Sequence, residues 1–548
     1  MKFNNSKSLF ILLNIFILAV FLRFYKLGQI PPSLYSDEAA QGYNAYSILN
    51  SGRDEHGAFL PVSLRSFGDW KPPLPAYLML MAIAVNGLNE VSVRFPSALL
   101  GTLTVLLAYL FLLKLLDKFK PKNKIASLAA FILAISPWHI LQSRSAMLVM
   151  VSLFFLLSGS LLFLLGTKRN KNYYFACLCL SLSVYAYYAM RVVTPLIFLY
   201  LIFNQRKFFF RGKIWLYSFL IIFLFSLPLF TGFINNPDIL LGRAKTVSVF
   251  YDRGVVLRMW ELITQDGISA GPLIVRFFHN RWYLYAKEII HNFLVHFDPG
   301  YLFLTGDQSQ PFNIPGMGIL YFIEALFLPS GVYLYMRKNL SGKYLIILWL
   351  IVSVIPASLT FMIPSSNRTF NAVLPLTVFI AVGIYFLNSI YKTKYSAILI
   401  SLFYIINIYY FLGIYFIKMP QQYSSIWNYG WKEAVNYASS VEQNYRNIYV
   451  SDIDGMPYIY FLFYKKYDPL KFRQTVIRSY SSDRFGFEHV ESFDKYIFIS
   501  DSHWQSDLQD NNPDSLYIIP SKQLHTQEQR GLEINYPDGK EAIRIIKQ

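Results

Sequence analysis

Two cysteines in 548 residues are too few for a disulfide framework, and both, Cys177 and Cys179, sit inside an apolar run where small thiols pack as hydrophobes. They leave the redox compartment undetermined. Charge is scarce as well: 15% of residues are Asp, Glu, Lys or Arg, against about 25% in an ordinary soluble chain, so the polar surface of a soluble protein this long is missing. No glycine-rich phosphate loop is present, which removes nucleotide chemistry of that kind, and the spacing of His279, His291, His296 and Asp298 fits no metal motif. There is no repeat of fixed period and no low-complexity linker. No small-residue cleavage site follows the first apolar run, which ends in Leu22, Arg23, Phe24 and Tyr25, so that run reads as a retained span rather than a signal peptide.

What the chain has in quantity is apolar sequence, 54% hydrophobic and 18% aromatic, gathered into runs such as 9–24, 98–116 and 395–417. Each has the length of a helix crossing about 30 Å of hydrocarbon, where helices are the default because the backbone finds no water. The net charge of +18 comes largely from Lys and Arg in short loops between runs, which is the pattern of membrane topology and not the basic face of a nucleic-acid binder. Lys2 and Lys7 place the N-terminus in the cytoplasm, and Lys114, Lys118, Lys120, Lys122 and Lys124 mark the next inner loop. Only an odd number of crossings joins the two, so 73–88, short and crowded by Pro72, Pro73 and Pro75, is expected as an interfacial or half-inserted helix. The alternation continues through basic loops at 168–171, 206–213, 337–343 and Lys392 with Lys394. The expected architecture is an all-α polytopic membrane domain, 1–419, of about eleven spans, with outer loops 26–95 and 234–313. It is followed by a C-terminal extracytoplasmic α/β domain, 420–548, in which Ile448 to Val450 and Tyr496 to Ile499 read as strands and Pro457 to Tyr464 as a short helix.

The first outer loop carries the densest chemistry. Asp37 and Glu38 begin a helix-like stretch, with Ser36 as a candidate cap. Acids there suit the helix dipole and need no further purpose. Just outside a span, however, adjacent carboxylates lie at headgroup depth, where one can take a proton from a hydroxyl or hold a divalent cation. Further along the loop, Asp69-Trp70-Lys71-Pro72-Pro73 is either an interfacial anchor or a phosphate contact, with Lys71 as a point charge set by rigid prolines.

The ordered set of a basic-capped first span, Tyr35-Ser36-Asp37-Glu38-Ala39, Lys71-Pro72-Pro73-Leu74 and Val93-Arg94-Phe95-Pro96-Ser97-Ala98 resembles the GT-C membrane glycosyltransferases. It is most similar to the branch of the protein O-mannosyltransferases and the lipid A aminoarabinose transferases, glycosyltransferase family 39 and its relatives. The match is dense over 23–100 and continues more loosely through Ser136-Pro137-Trp138-His139 with Arg144, Tyr185-Ala186-Tyr187-Tyr188 with Arg191, Gly306-Asp307, and Arg368. The resemblance implies a polyprenyl-phosphate sugar donor, an acceptor hydroxyl on a protein, lipid or cell-envelope glycan, and inverting transfer on the outer face of the cytoplasmic membrane. It makes Asp37 the catalytic carboxylate with Glu38 in support. Lys71 and Asp69 are then substrate-binding, as are His139, Arg144, Arg191, Arg368 and Asp307. For the cationic members of that set, interfacial snorkelling or pairing is the alternative. Relatives often carry a further acid after the equivalent of Arg144, whereas Ser145 to Met150 contain none, so a divalent metal (Mg, Mn or Zn) on Asp37 stays open. Two other classes compete with the enzyme: a lipid-linked glycan flippase, expected to carry ionisable residues at mid-membrane, and a non-catalytic envelope assembly protein.

Overall fold

The structure is a computed structural model that describes residues 6–251, 253–266, 272–338, 340–391, 394–452, 456–481, 483, 486–499, 514–523 and 531–548. Lys392, assigned above to an inner loop, lies outside them. The chain divides into two compact units: one of residues 1–22, 100–142 and 149–411, the other of 23–99, 143–148 and 412–548.

The first unit is helical. Among the described residues five helices, or six if one bent pair counts as a single span, are long and apolar enough to cross a membrane, where about eleven spans were expected. By length and composition, Ser6–Phe24, Glu90–Leu115, Ile214–Asn235, Phe370–Ile390 and Tyr395–Gln422 are each able to cross a membrane. Lys122–Ile135 and Pro137–Arg144, bent by 56° at their junction, form a further span if taken together. Val149–Leu165 and Lys343–Ser358 are shorter apolar helices. The bend falls where Pro137 lacks the N–H that would continue the ladder. Residues 324–337 and 373–391 pack backbone to backbone: a Cβ on Gly331 would meet the Phe379 carbonyl oxygen at 1.8 Å, and one on Gly383 the Phe327 carbonyl oxygen at 2.2 Å. Apolar side chains gain little by association within lipid, so close approach over small residues supplies the packing instead.

The stretch 234–313, expected as a long loop, contains the helices Asp238–Val247, Arg253–Asp266, Pro272–Phe278 and Arg281–Val295. Their apolar residues recur at helical spacing and leave Trp260, Phe277, Trp282 and Leu294 exposed. That periodicity was submerged by the charges between them.

The second unit is built on a seven-stranded mixed sheet. Two short strands come first along the chain, β1 (Leu64–Ser66) and β2 (Asp69–Lys71), and pair as a hairpin of their own. The sheet follows as β3 (Asn447–Ser451), β4 (Ile477–Ser479), β5 (His489–Phe493), β6 (Tyr496–Ile499), β7 (Ser515–Pro520), β8 (Leu532–Asn535) and β9 (Glu541–Lys547), in the order β4-β5-β6-β3-β7-β9-β8. β3 runs parallel to β6 and β7, and the outer pairs are antiparallel. Over the sheet lies the Tyr458–Tyr464 helix, of which residues 458–463 are all buried.

One core joins this sheet to the first outer loop. Ala39, Ala40 and Tyr43 of the Ser36–Ser51 helix pack in the same apolar cluster as Tyr460, Phe463 and Phe498. The Tyr43 hydroxyl donates to the Tyr467 carbonyl at 3.1 Å, and that of Tyr460 to the Leu34 carbonyl at 3.2 Å. The helix Leu74–Asn86, where an interfacial helix was expected, spans 13 residues, roughly 20 Å, too short to cross hydrocarbon.

Candidate active site

The Ser36–Ser51 helix orients two adjacent acids in different directions, because successive residues on a helix are about 100° apart. Ser36, expected as the cap, is instead the first helical residue, and Tyr35, extended at φ −68° and ψ 152°, holds the cap position. The Tyr35 N–H donates to Glu38 Oε2 at 3.1 Å, the half of a capping box in which the N3 carboxylate reaches back to the cap residue's backbone.

Glu38 is completely buried and completely engaged. Arg94 Nε and Nη2 reach its two oxygens at 3.1 and 3.0 Å, and the Ala146 N–H donates to Oε1 at 2.8 Å. The same guanidinium donates to the carbonyls of Pro31 at 2.8 Å and Ser33 at 2.5 Å. Glu38 and Arg94 therefore tie the chain before the helix, the helix itself and the 143–148 segment together. This is a positioning arrangement with no oxygen left for a substrate.

Asp37 points elsewhere. Its side chain is 38% exposed and forms an ion pair with Lys71, whose own side chain is 7% exposed. The β1–β2 hairpin delivers that lysine. Ser66 pairs with Asp69 across a two-residue turn in which Phe67 and Gly68 take φ of 56° and 83°, the left-handed conformation that matches strand twist. Lys71 ends β2, lies 4.8 Å over the Phe67 ring and donates to Ser66 Oγ at 3.4 Å. Pro72 and Pro73 then end the ladder and begin the next helix. Asp69 is half-buried in the hairpin, its Oδ1 accepting from the Trp70 N–H at 2.9 Å. The turn is gripped by the tail: Arg65 pairs with Glu488, and a Cβ on Gly68 would lie 3.1 Å from Glu488 Cγ.

Arg144 is fully buried in the same unit. It donates to the carbonyls of Tyr25 at 2.7 Å and Ile30 at 2.8 Å, and stacks 4.9 Å from the Phe416 ring. These contacts secure the start of the first outer loop.

The remaining candidates belong to the first unit. His139 is buried with its ring 5.9 Å from Phe370, and its neighbour Trp138 donates to the Ser366 carbonyl at 3.0 Å. Asp307 is buried and accepts from the Ser309 N–H at 2.8 Å and from Ser366 through its N–H at 2.6 Å and hydroxyl at 2.8 Å. Burial holds its carboxyl above the usual range, partly offset by those donors and by Arg368. Arg368 donates to Thr360 Oγ1 at 2.6 Å and to the Met362 carbonyl at 2.9 Å; burial and the nearby charge of Arg243 lower its pKa. Arg191 donates to the Leu240 carbonyl at 3.0 Å and lies 5.5 Å over Tyr188. Arg243, beside Arg368, was not singled out from sequence, because it lies in a stretch read as loop. Nor was the Glu38–Arg94 pairing foreseen, although Arg94 stood in a quoted motif: its partner is 56 residues away.

The donor set around Asp37 fits a divalent cation poorly. An ammonium already faces its carboxylate, and the neighbouring acid is spent on Arg94. Among the described residues no group of three or more His, Cys, Asp or Glu is arranged to hold a metal.

An acid–lysine pair on a helix and hairpin, in a chain that also holds a unit of long apolar helices, defines a class. The chain has the GT-C fold of membrane glycosyltransferases, and its apolar helices give it a multi-pass membrane architecture. Residues 70–230 match the family model described as dolichyl-phosphate-mannose-protein mannosyltransferase. Among solved structures it is similar to ArnT from Cupriavidus metallidurans bound to undecaprenyl phosphate, at 11% identity over 97% of both chains and a TM-score of 0.56. It is also similar to the Archaeoglobus fulgidus oligosaccharyltransferase tethered with an acceptor peptide containing the NVT sequon, at 13% identity over 85% of this chain and a TM-score of 0.51. The chain spans 64% of that oligosaccharyltransferase's length. No curated protein sequence matches this one.

Proposed function

We propose that this protein is a glycosyltransferase that moves a sugar from a polyprenyl-phosphate donor to an acceptor hydroxyl, on the outer face of the cytoplasmic membrane and with inversion. The observation that carries the reading is the Asp37–Lys71 pair: an accessible carboxylate held against a nearly buried ammonium, with the adjacent acid withdrawn into a structural ion pair.

The chemistry follows from the two charges. The donor's phosphate competes for Lys71 and draws the ammonium away from Asp37, so binding of the donor frees the base. Asp37 then accepts the proton of the acceptor hydroxyl. The hydroxyl oxygen bonds to the anomeric carbon while the carbon–oxygen bond to phosphate breaks on the opposite face, and polyprenyl phosphate leaves with the electron pair. Its growing negative charge meets Lys71, a cation already fixed and mostly out of water, which stabilises it better than mobile solvent. Within the first unit, Arg191 and Arg368, the latter with Arg243 near it, are candidates for a phosphate contact. No step is routed through a metal. In this topology the N-terminus is cytoplasmic, and 420–548 lies outside as an α/β domain beside the first loop. The acceptor is a protein, a lipid or an envelope glycan.

The test is transfer by purified protein in lipid with defined polyprenyl-phosphate sugars, the products weighed by mass spectrometry. Asp37→Asn protein that inserts and folds normally is expected to be inactive, by about 10²–10⁴-fold. Undiminished transfer by that variant overturns the assignment.

A further inference from the structure

A cavity of about 420 Å³ lies in the same unit as Asp37. It is walled by Glu55 and His56 from the first outer loop and by Arg473, Ile477, Arg478 and Tyr480 from the tail. None of these residues enters the chemistry above. The size is that of a small-molecule site.

Its walls donate more than they accept. Glu55, the one acid lining it among the described residues, has both oxygens engaged: Oε1 by Asn44 Nδ2 at 3.0 Å, Oε2 by the Tyr458 hydroxyl at 3.3 Å and Arg478 Nη2 at 3.5 Å. Arg473 is held by Ser47 Oγ and the Asp54 carbonyl, both at 3.1 Å, and Arg478 lies 5.2 Å over the Phe472 ring. The two guanidiniums are thereby set in place before any ligand arrives. His56 Nε2 is buried and has no hydrogen-bond partner among the described residues. A polar atom left unmet in a cavity wall costs free energy that a ligand group would recover. Tyr480 and Ile477 are 64% and 56% exposed, an apolar rim for a carbon skeleton. On its other side Tyr480 meets Arg65, 5.1 Å away, in the hairpin that presents Lys71.

We propose that this cavity binds an oxyanion, a carboxylate or phosphate group carried by the acceptor, with Arg473, Arg478 and, in its Nε2–H tautomer, His56 as donors and Tyr480 against the skeleton that bears it. A neutral polyol asks for acceptors as well as donors, and both oxygens of the one carboxylate lining the cavity among the described residues are already engaged. That the oxyanion belongs to an acceptor rests on the transferase reading; oxyanion binding itself does not.

The full-length protein in lipid nanodiscs is titrated calorimetrically with glucuronate, inorganic phosphate and glucose at one ionic strength. Glucuronate or phosphate is expected to bind saturably and at least about tenfold tighter than glucose, and the stronger of the two tells which anion the site prefers. His56→Ala and Tyr480→Ala are expected to weaken that binding several-fold with an unchanged unfolding temperature, while Asp37→Asn binds like the parent. Equal affinity for glucose and glucuronate, or both cavity variants binding like the parent, overturns the proposal. Oxyanion binding by a protein that transfers no sugar leaves the cavity standing and removes only the transferase; transfer without oxyanion binding does the reverse.

Discussion

The carboxylate of Glu38 and the guanidinium of Arg94 lie side by side, Oε1 to Nε at 3.1 Å and Oε2 to Nη2 at 3.0 Å, with both side chains fully buried. A two-point pair of this kind fixes orientation as well as distance. It holds the start of the Ser36–Ser51 helix and so determines where the preceding acid in the chain, Asp37, points.

Removing one member of that pair strands the other charge in a dry site. Arg94→Leu is expected to destabilise the second unit by about 3–5 kcal/mol, seen as a lower unfolding temperature in detergent, and Glu38→Gln to follow it in direction. A Glu38→Gln protein with parental stability but no transfer would assign Glu38 to chemistry instead.

Lys71→Ala separates the two roles given to the pair. It leaves Asp37 without its counter-ion, so the base is present, but the phosphate contact is gone. The affinity for polyprenyl phosphate, measured as product inhibition, should fall about tenfold or more, the worth of a hydrogen bond to a charged group. Unaltered inhibition would take Lys71 off the phosphate.

Gly68 occupies a left-handed position, φ 83°, with Glu488 Cγ and the Gly486 carbonyl oxygen 3.1 and 3.2 Å from where a Cβ would sit. Gly68→Val carries the left-handed cost of roughly 1–2 kcal/mol and also pushes the hairpin from the tail. Gly539 has the same kind of backbone, φ 87°, with nothing within 4 Å. Activity should drop in Gly68→Val and persist in Gly539→Ala. Equal activity in both would mean the hairpin's seat is immaterial to Lys71.

Burial raises the pKa of Asp54 to about 6, with the charge of Glu55 adding and the N–H groups of Ala58 and His56 opposing. The folded state therefore holds a proton that the unfolded chain releases near its ordinary value of 3.8. Stability falls as pH rises from about 4 to about 6 and is flat above, by up to about 3 kcal/mol at 1.36 kcal/mol per unit. Thermal unfolding followed across that window should show the slope in the parent and lose it in Asp54→Asn.

Much of this was legible in the chain. Runs of apolar residues located helices because their length is a property of neighbours in sequence, and the strands around Ile448 and Tyr496 showed in the same way. The acids at 37 and 38 and the lysine at 71 stood out by residue type and by the order of motifs. What stayed hidden was pairwise. Nothing local distinguishes Asp37 from Glu38, yet one is exposed beside Lys71 and the other is spent on Arg94. Likewise Arg144 read as a phosphate candidate, and nothing local foretold that its Nη2 would donate to the carbonyls of Tyr25 and Ile30.

The amino-acid sequence by itself determined that the chain is rich in apolar helices of membrane-spanning character, and which few charged groups stand between them, because hydropathy and residue chemistry act position by position. Only the tertiary structure decided which charges meet. Folding the first loop onto a tail some 400 residues away, as the Tyr43–Tyr467 hydrogen bond records, chose among many possible ion pairs. That choice depends on burial and distance, which no single segment of the chain contains.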